Sequence, residues 1–178
     1  MQIEVRKLKK YIDIYDIFRL LMSQDNFKEN KISFLDSSLK NKYGKYSIIG
    51  INPYLELKEK DDKFYINDML SDENFEDYLD RFLKENKQEN KYNLPLISGG
   101  IAYFSYDYGR KFENIKTRHK KDVDIPEVII RFYRTYIIED IEKQEIYISY
   151  QDKKDYDNLI NILVNTKIEK ENLIKNNN

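Results

Sequence analysis

Two clusters of residues in this chain have the types and spacing to do chemistry. The first is Asp107, Arg110 and Glu113, three ionisable side chains that follow the run Gly99-Gly100-Ile101-Ala102-Tyr103-Phe104. The apolar run reads as a central strand covered on both faces. The paired glycines at its head imply a close backbone approach or a positive φ. Charged groups at the end of such a strand serve either a ligand pocket or a structural ion-pair network, and the network is the commoner arrangement. The second cluster is Phe34-Leu35-Asp36-Ser37-Ser38, which ends a short strand, with Tyr43-Gly44-Lys45-Tyr46, which begins the next. If those strands are neighbours, hydroxyl, backbone N–H, ammonium and aromatic groups converge beside apolar walls. That combination suits a small zwitterion with an apolar or aromatic side chain. The alternative is a turn in which Ser37 and Ser38 cap backbone groups.

The usual catalytic constellations are missing from the sequence. Gly99-Gly100 and Gly109 fit neither GxGxxG nor phosphate-loop spacing. No serine sits in a nucleophile elbow, and the single histidine, His119, lies in the basic run Thr117 to Lys121. One histidine without cysteine does not make a zinc site. The residues therefore give no catalytic group and no metal site of their own.

Composition narrows the class further. The 31 basic and 32 acidic side chains leave a net charge of −1, without the basic excess of a nucleic-acid binder. The basic-aromatic stretch Arg131 to Tyr136 reads as a strand with alternating faces rather than an RNA platform. No apolar run approaches membrane-spanning length, and Met1 to Lys10 lacks a signal-peptide core. The absence of cysteine excludes disulfides and fits a reducing cytoplasm.

The elements that must position these clusters follow from periodicity. Met1 to Leu8 alternates as a strand. Asp13 to Ser23 is a helix with Ile14, Ile17, Phe18 and Leu21 on one face. Ile32 to Asp36 is a short strand, and Lys45 to Pro53 is a strand stopped by Asn52-Pro53. Tyr54 to Lys60 and Lys63 to Asn67 form a hairpin around Asp61-Asp62. A second helix, capped near Ser71 or Asn74, carries Phe75, Tyr78, Leu79, Phe82 and Leu83. After the polar linker 85–93 and the Gly99 strand, 108–124 is irregular with at most a short helical turn. Val128 to Glu139 pairs with Glu145 to Tyr150, and a last helix buries Tyr156, Leu159, Ile160, Leu163 and Val164. The order helix, strand, hairpin occurs twice and begins a third time, so the chain reads as cut. The class is α+β, antiparallel sheets with helices on their outer faces, over residues 1–166, followed by a charged, frayed tail at 167–178.

The segments FLDSSLKNKYGKYSIIGINP (Phe34 to Pro53) and LPLISGGIAYFSYDYGRKFE (Leu94 to Glu113) resemble the N-terminal region of component I of the chorismate-using synthases, aminodeoxychorismate synthase and anthranilate synthase. The resemblance extends to about Tyr150. Within it, Tyr106-Asp107-Tyr108-Gly109-Arg110 with Phe112-Glu113 is more similar to the aminodeoxychorismate, folate-pathway branch. The anthranilate branch usually lacks the glycine before the arginine.

The resemblance implies part of the layered α/β/β/α fold of that family. It also implies a chorismate-binding, Mg²⁺-dependent catalytic region C-terminal to this chain. In the whole enzyme, ammonia from a glutamine amidotransferase subunit replaces the C4 hydroxyl of chorismate to give 4-amino-4-deoxychorismate. The family's N-terminal region holds an amino-acid site for tryptophan. By matching motif positions, that site uses Ser37, Tyr43, Gly44, Lys45 and Tyr46, which tips the second cluster towards binding. Lys45 stands where arginine is common and lacks its bidentate fork for a carboxylate. A free-standing amino-acid-binding module is the reading from another class.

Overall fold

The structure is a computed structural model that describes residues 3–27, 32–39, 43–113 and 123–175. In chain order its elements are β1 (Glu4–Lys7), α1 (Ile14–Met22), β2 (Ile32–Leu35), β3 (Tyr46–Lys60), β4 (Lys63–Ile66), β5 (Met69–Ser71), α2 (Phe75–Glu85), β6 (Gly100–Phe104), α3 (Arg110–Glu113), β7 (Val128–Asp140), β8 (Glu145–Tyr150) and α4 (Lys153–Lys175). Single 3₁₀ turns sit at Asp25–Phe27 and Tyr106–Gly109. The class is α+β with antiparallel strand pairing, as expected. His119 and residues 28–31 and 40–42 lie outside the described residues. No helix among the described residues is long and apolar enough to cross a membrane.

The chain divides into two compact units, and it passes between them inside β3, after Asn52, and inside β7, after Phe132. The first unit holds residues 1–52, 90–98 and 133–178. Here β1 pairs β8, β8 pairs β7, and β2 pairs the start of β3. Asp13 caps α1 by accepting the Tyr15 N–H at 2.9 Å. The i, i+3, i+7 set Ile14, Ile17 and Leu21 is buried against Ile49, Ile51, Ile137 and Ile148, joined by Leu159 and Leu163 of α4. Val164, expected in the same stripe, is exposed.

The second unit holds 53–89 and 99–132. β3 turns into β4 through Asp61 and Asp62, both at positive φ (52° and 58°), which is the geometry of a two-residue hairpin turn. Asn67 and Asp68 repeat the device (φ 48° and 64°) and start β5, a strand that periodicity missed because it spans only three residues. Asn74 caps α2 by accepting the Asp77 N–H at 3.0 Å. Phe75 is buried among Leu57, Phe64, Val128 and Phe132, with Tyr78, Leu79 and Phe82 half-buried beside it. Leu83 lies off this stripe and is exposed.

Two expectations are corrected. Asn52-Pro53 does not stop the strand. Asn52 takes a left-handed φ of 56°, which asparagine tolerates, and β3 resumes with its buried positions still in phase: 47, 49 and 51 before, then 55, 57 and 59 after. The Gly99 strand is not covered on both faces. β6 pairs only with β7 among the described residues, and Tyr103 and Phe104 are about half exposed. An aromatic-rich edge strand and a central strand share the same apolar run, so periodicity cannot separate them. The glycine expectation holds. Gly99 has φ 137°, and a Cβ on Gly100 would lie 2.7 Å from Ile130.

Gly50 marks another close approach, in the first unit. A Cβ there would lie 2.6–2.8 Å from the Tyr133 ring, which is itself held by a Tyr133–Ser33 hydroxyl contact and by the Tyr136 hydroxyl accepting the Tyr133 N–H at 3.1 Å. A ring fixed at both ends cannot yield cheaply. Gly50→Ala should therefore cost about 1–3 kcal/mol of stability in urea unfolding, whereas Gly109→Ala, whose Cβ meets nothing within 4 Å, should fall within about 0.5 kcal/mol of the parent.

Candidate functional site

β2 and β3 are antiparallel neighbours, with Leu35 opposite Ile48, so the residues just beyond β2 face those that open β3. Ser37 is the clasp. Its hydroxyl donates to the Tyr46 carbonyl at 2.6 Å, and its N–H donates to the Ser47 hydroxyl at 3.1 Å. Ser47 is 1% exposed and its Oγ lies 3.4 Å from Asp36 Oδ1. Gly44 is required by crowding: a Cβ there would lie 2.4 Å from the Leu39 carbonyl oxygen and 3.5 Å from Ser37 Cβ. The Lys45 N–H donates to the Tyr43 carbonyl, and the Lys45 carbonyl accepts the Ile141 N–H at 3.0 Å from the turn after β7. Lys143 closes that turn on buried Asp140 (2.7 Å). Burial pushes the Asp140 carboxyl up, but the Lys143 hydrogen bond and backbone N–H donors outweigh it, and its pKa is lowered.

The five sequence-predicted residues therefore lie around the end of β2 and the start of β3 rather than at scattered positions. Ser37 and Gly44 shape it, while the Tyr43 side chain, 79% exposed, and the exposed Lys45 side chain reach outward. Tyr46 is half-buried. Both the turn reading and the binding reading use the same atoms, since the Ser37 hydroxyl spends its proton on Tyr46 and keeps acceptor capacity. Asp36, already part of the second cluster, belongs to the constellation, as does Ser47, which was not singled out from the sequence. The signal available was the alternation that turns Ser47 inward on β3.

The Asp107, Arg110, Glu113 cluster resolves differently. The side chains of Asp107 and Glu113 lie outside the described residues. The Arg110 guanidinium stands 5.6 Å from the ring centre of Tyr106, which is 88% exposed. The buried groups are the neighbours. The Tyr108 hydroxyl donates to Glu76 Oε1 at 2.9 Å, and burial together with that carboxylate pushes the phenol pKa well up. Lys111 bonds Glu59 and lies 3.4 Å from Asp62. Burial lowers its ammonium pKa, but the Glu59 hydrogen bond and charge more than offset this, and the net shift is upward. Tyr108 and Lys111 therefore anchor the chain after β6, a structural part that periodicity did not assign them.

Two substitutions separate the roles within the Ser37 loop. Ser37→Ala removes one hydrogen bond and should cost about 1 kcal/mol. Gly44→Ala forces backbone apart and should cost more, about 1–3 kcal/mol. Urea unfolding of both variants ranks them, and equal costs would contradict the crowding at Gly44.

No family model matches the chain. Among known proteins it is similar to anthranilate synthase component 1 of Acetivibrio thermocellus, 30% identical over 152 residues, covering 81% of this chain and 29% of that protein. It is also similar to aminodeoxychorismate synthase component 1 of Bacillus subtilis (strain 168), 30% identical over 112 residues, covering 59% of this chain and 23% of that one. Among solved structures, anthranilate synthase component I from Streptococcus pneumoniae TIGR4 superposes with a TM-score of 0.58, covering 72% of this chain and 31% of that chain. At 22% identity that likeness is one of fold. The chain spans less than a third of the length of each of these relatives. Homologues from both branches and a shared fold lead to one conclusion: the chain belongs to the component I family of anthranilate and aminodeoxychorismate synthases and corresponds to its N-terminal region.

Proposed function

We propose that this chain is the N-terminal part of an aminodeoxychorismate synthase component I. In that role it supports conversion of chorismate and glutamine-derived ammonia to 4-amino-4-deoxychorismate in cytoplasmic folate biosynthesis. The observation that carries the branch is the run Tyr106 to Arg110. Gly109 precedes Arg110 although nothing lies within 4 Å of where its Cβ would be, so local packing does not demand a glycine there. The partners on this reading are a C-terminal chorismate-binding region and a glutamine amidotransferase. Mg²⁺, on the same reading, belongs to that catalytic region. The anthranilate branch is the second reading, favoured by the 152-residue match to the Acetivibrio protein.

Product analysis separates these readings. The 178 residues alone, given chorismate, ammonia and Mg²⁺, should form no product. With the C-terminal catalytic region supplied, 4-amino-4-deoxychorismate should accumulate. Anthranilate as product would select the second reading, and turnover by the 178 residues alone would refute the assignment to a non-catalytic part.

The Ser37 loop is the amino-acid site on the same proposal, with Tyr43, Gly44, Lys45 and Tyr46 taking an L-tryptophan-type ligand. Ser37 and Gly44 fix the loop, and the Lys45 ammonium meets the ligand carboxylate. The chain has 16 tyrosines and no tryptophan, so a saturable loss of tyrosine emission, corrected for absorption and emission by free L-tryptophan, reports energy transfer to bound ligand. Saturable energy transfer that weakens in Lys45→Ala is the expected result. No transfer at millimolar L-tryptophan removes the amino-acid site from the proposal.

A further inference from the structure

A second concavity, in the first unit, is unrelated to the Ser37 loop. It encloses about 440 Å³, within the range of small-molecule sites. Four asparagines line it: Asn26 from the turn after α1, Asn52 from β3, and Asn158 and Asn161 one helical turn apart on α4. Asp155 adds a carboxylate one turn earlier on the same helix, and Phe27, Ile51 and Leu159 supply apolar wall. Asn52 is the residue that holds a left-handed φ of 56° in the middle of an extended strand, and such backbone outliers concentrate at ligand sites.

Thr135 on β7 gives an independent sign of a ligand. It lines the same concavity, is 2% exposed, and its hydroxyl has no hydrogen-bond partner among the described residues. Buried hydroxyls are nearly always paired, because an unpaired one forfeits its hydration without compensation.

We propose that this pocket binds an uncharged nitrogen heterocycle of the nucleobase or nucleoside type. Each asparagine carboxamide sets a donor beside an acceptor, which matches the amino-group and ring-nitrogen edge of a base. Asp155 accepts from an exocyclic amino group, and the apolar wall takes the ring face. None of the described lining residues is basic, and one is acidic. A phosphate or carboxylate would meet uncompensated negative charge, which separates this pocket from the carboxylate chemistry proposed for the Ser37 loop.

The test is isothermal titration calorimetry of the 178-residue chain with adenosine, guanosine and cytidine, each with its own 5′-monophosphate as the charged control. Saturable binding of at least one nucleoside is expected. For the nucleoside that binds, its 5′-monophosphate should bind at least about tenfold more weakly, as one uncompensated charge predicts. Asp155→Ala and Thr135→Val should each weaken binding about tenfold, the loss of one buried hydrogen bond. Thermal unfolding of Thr135→Val without ligand confirms that the variant folds. The proposal is overturned if no nucleoside binds at millimolar concentration, if the monophosphate binds equally well, or if Thr135→Val leaves binding unchanged while raising the melting temperature. Each of these outcomes leaves the component I assignment untouched.

Discussion

Everything in this structure depends on satisfying two long strands, β3 and β7. They are neighbours, and each must pair its backbone groups on both sides and cover two faces of side chains. In the first unit Ile141 bonds Lys45 while Tyr133 lies against Gly50. In the second unit Glu127 bonds Glu59 while Arg131 pairs with Glu56 at 2.6 Å. Within each unit, moving forward along β3 moves backward along β7, so the pairing is antiparallel. Each unit then supplies its own cover: α1 and α4 bury the isoleucine-rich side chains of the first, and α2 buries the aromatic-rich side chains of the second.

The loop at the start of β3 follows from that constraint. β3 pairs with β7 and β2, and the Ser37 hydroxyl and N–H tie the chain leaving β2 to Tyr46 and Ser47 at the start of β3. Crowding at Gly44 and the Ile141–Lys45 bond do the rest. Membership of the component I family is what suggests a role for these residues.

Polar groups inside the two units are mostly matched to a partner, as burial demands. Tyr108 finds Glu76, Arg131 finds Glu56, Tyr11 finds Glu139 at 2.5 Å, and the Ser149 hydroxyl finds the Ile97 carbonyl at 2.5 Å. These pairs orient helices and linkers on the strands more than they add net stability. Against that background Glu59 Oε2 and the Thr135 hydroxyl are buried without a partner among the described residues, and Thr135 lines a pocket with four carboxamides.

The sequence by itself determined what local chemistry dictates. The helix faces at Ile14, Ile17 and Leu21 and at Phe75, the caps at Asp13 and Asn74, the Asp61-Asp62 turn and the positive φ at Gly99 were legible because each depends on near neighbours and backbone sterics. The five residues around Ser37 were singled out by their types and by resemblance to a family motif, and their role is a proposal. Tertiary structure alone decided what depends on distant partners: that β3 runs on through Asn52-Pro53, and that β6 is an exposed edge. It also decided that Tyr108 and Lys111 are anchors and that residues from positions as far apart as 26 and 161 share one pocket. An apolar run records that a residue prefers burial, but only the packed neighbours decide which strand gains both partners, because backbone pairing and cover are filled by segments far away in sequence.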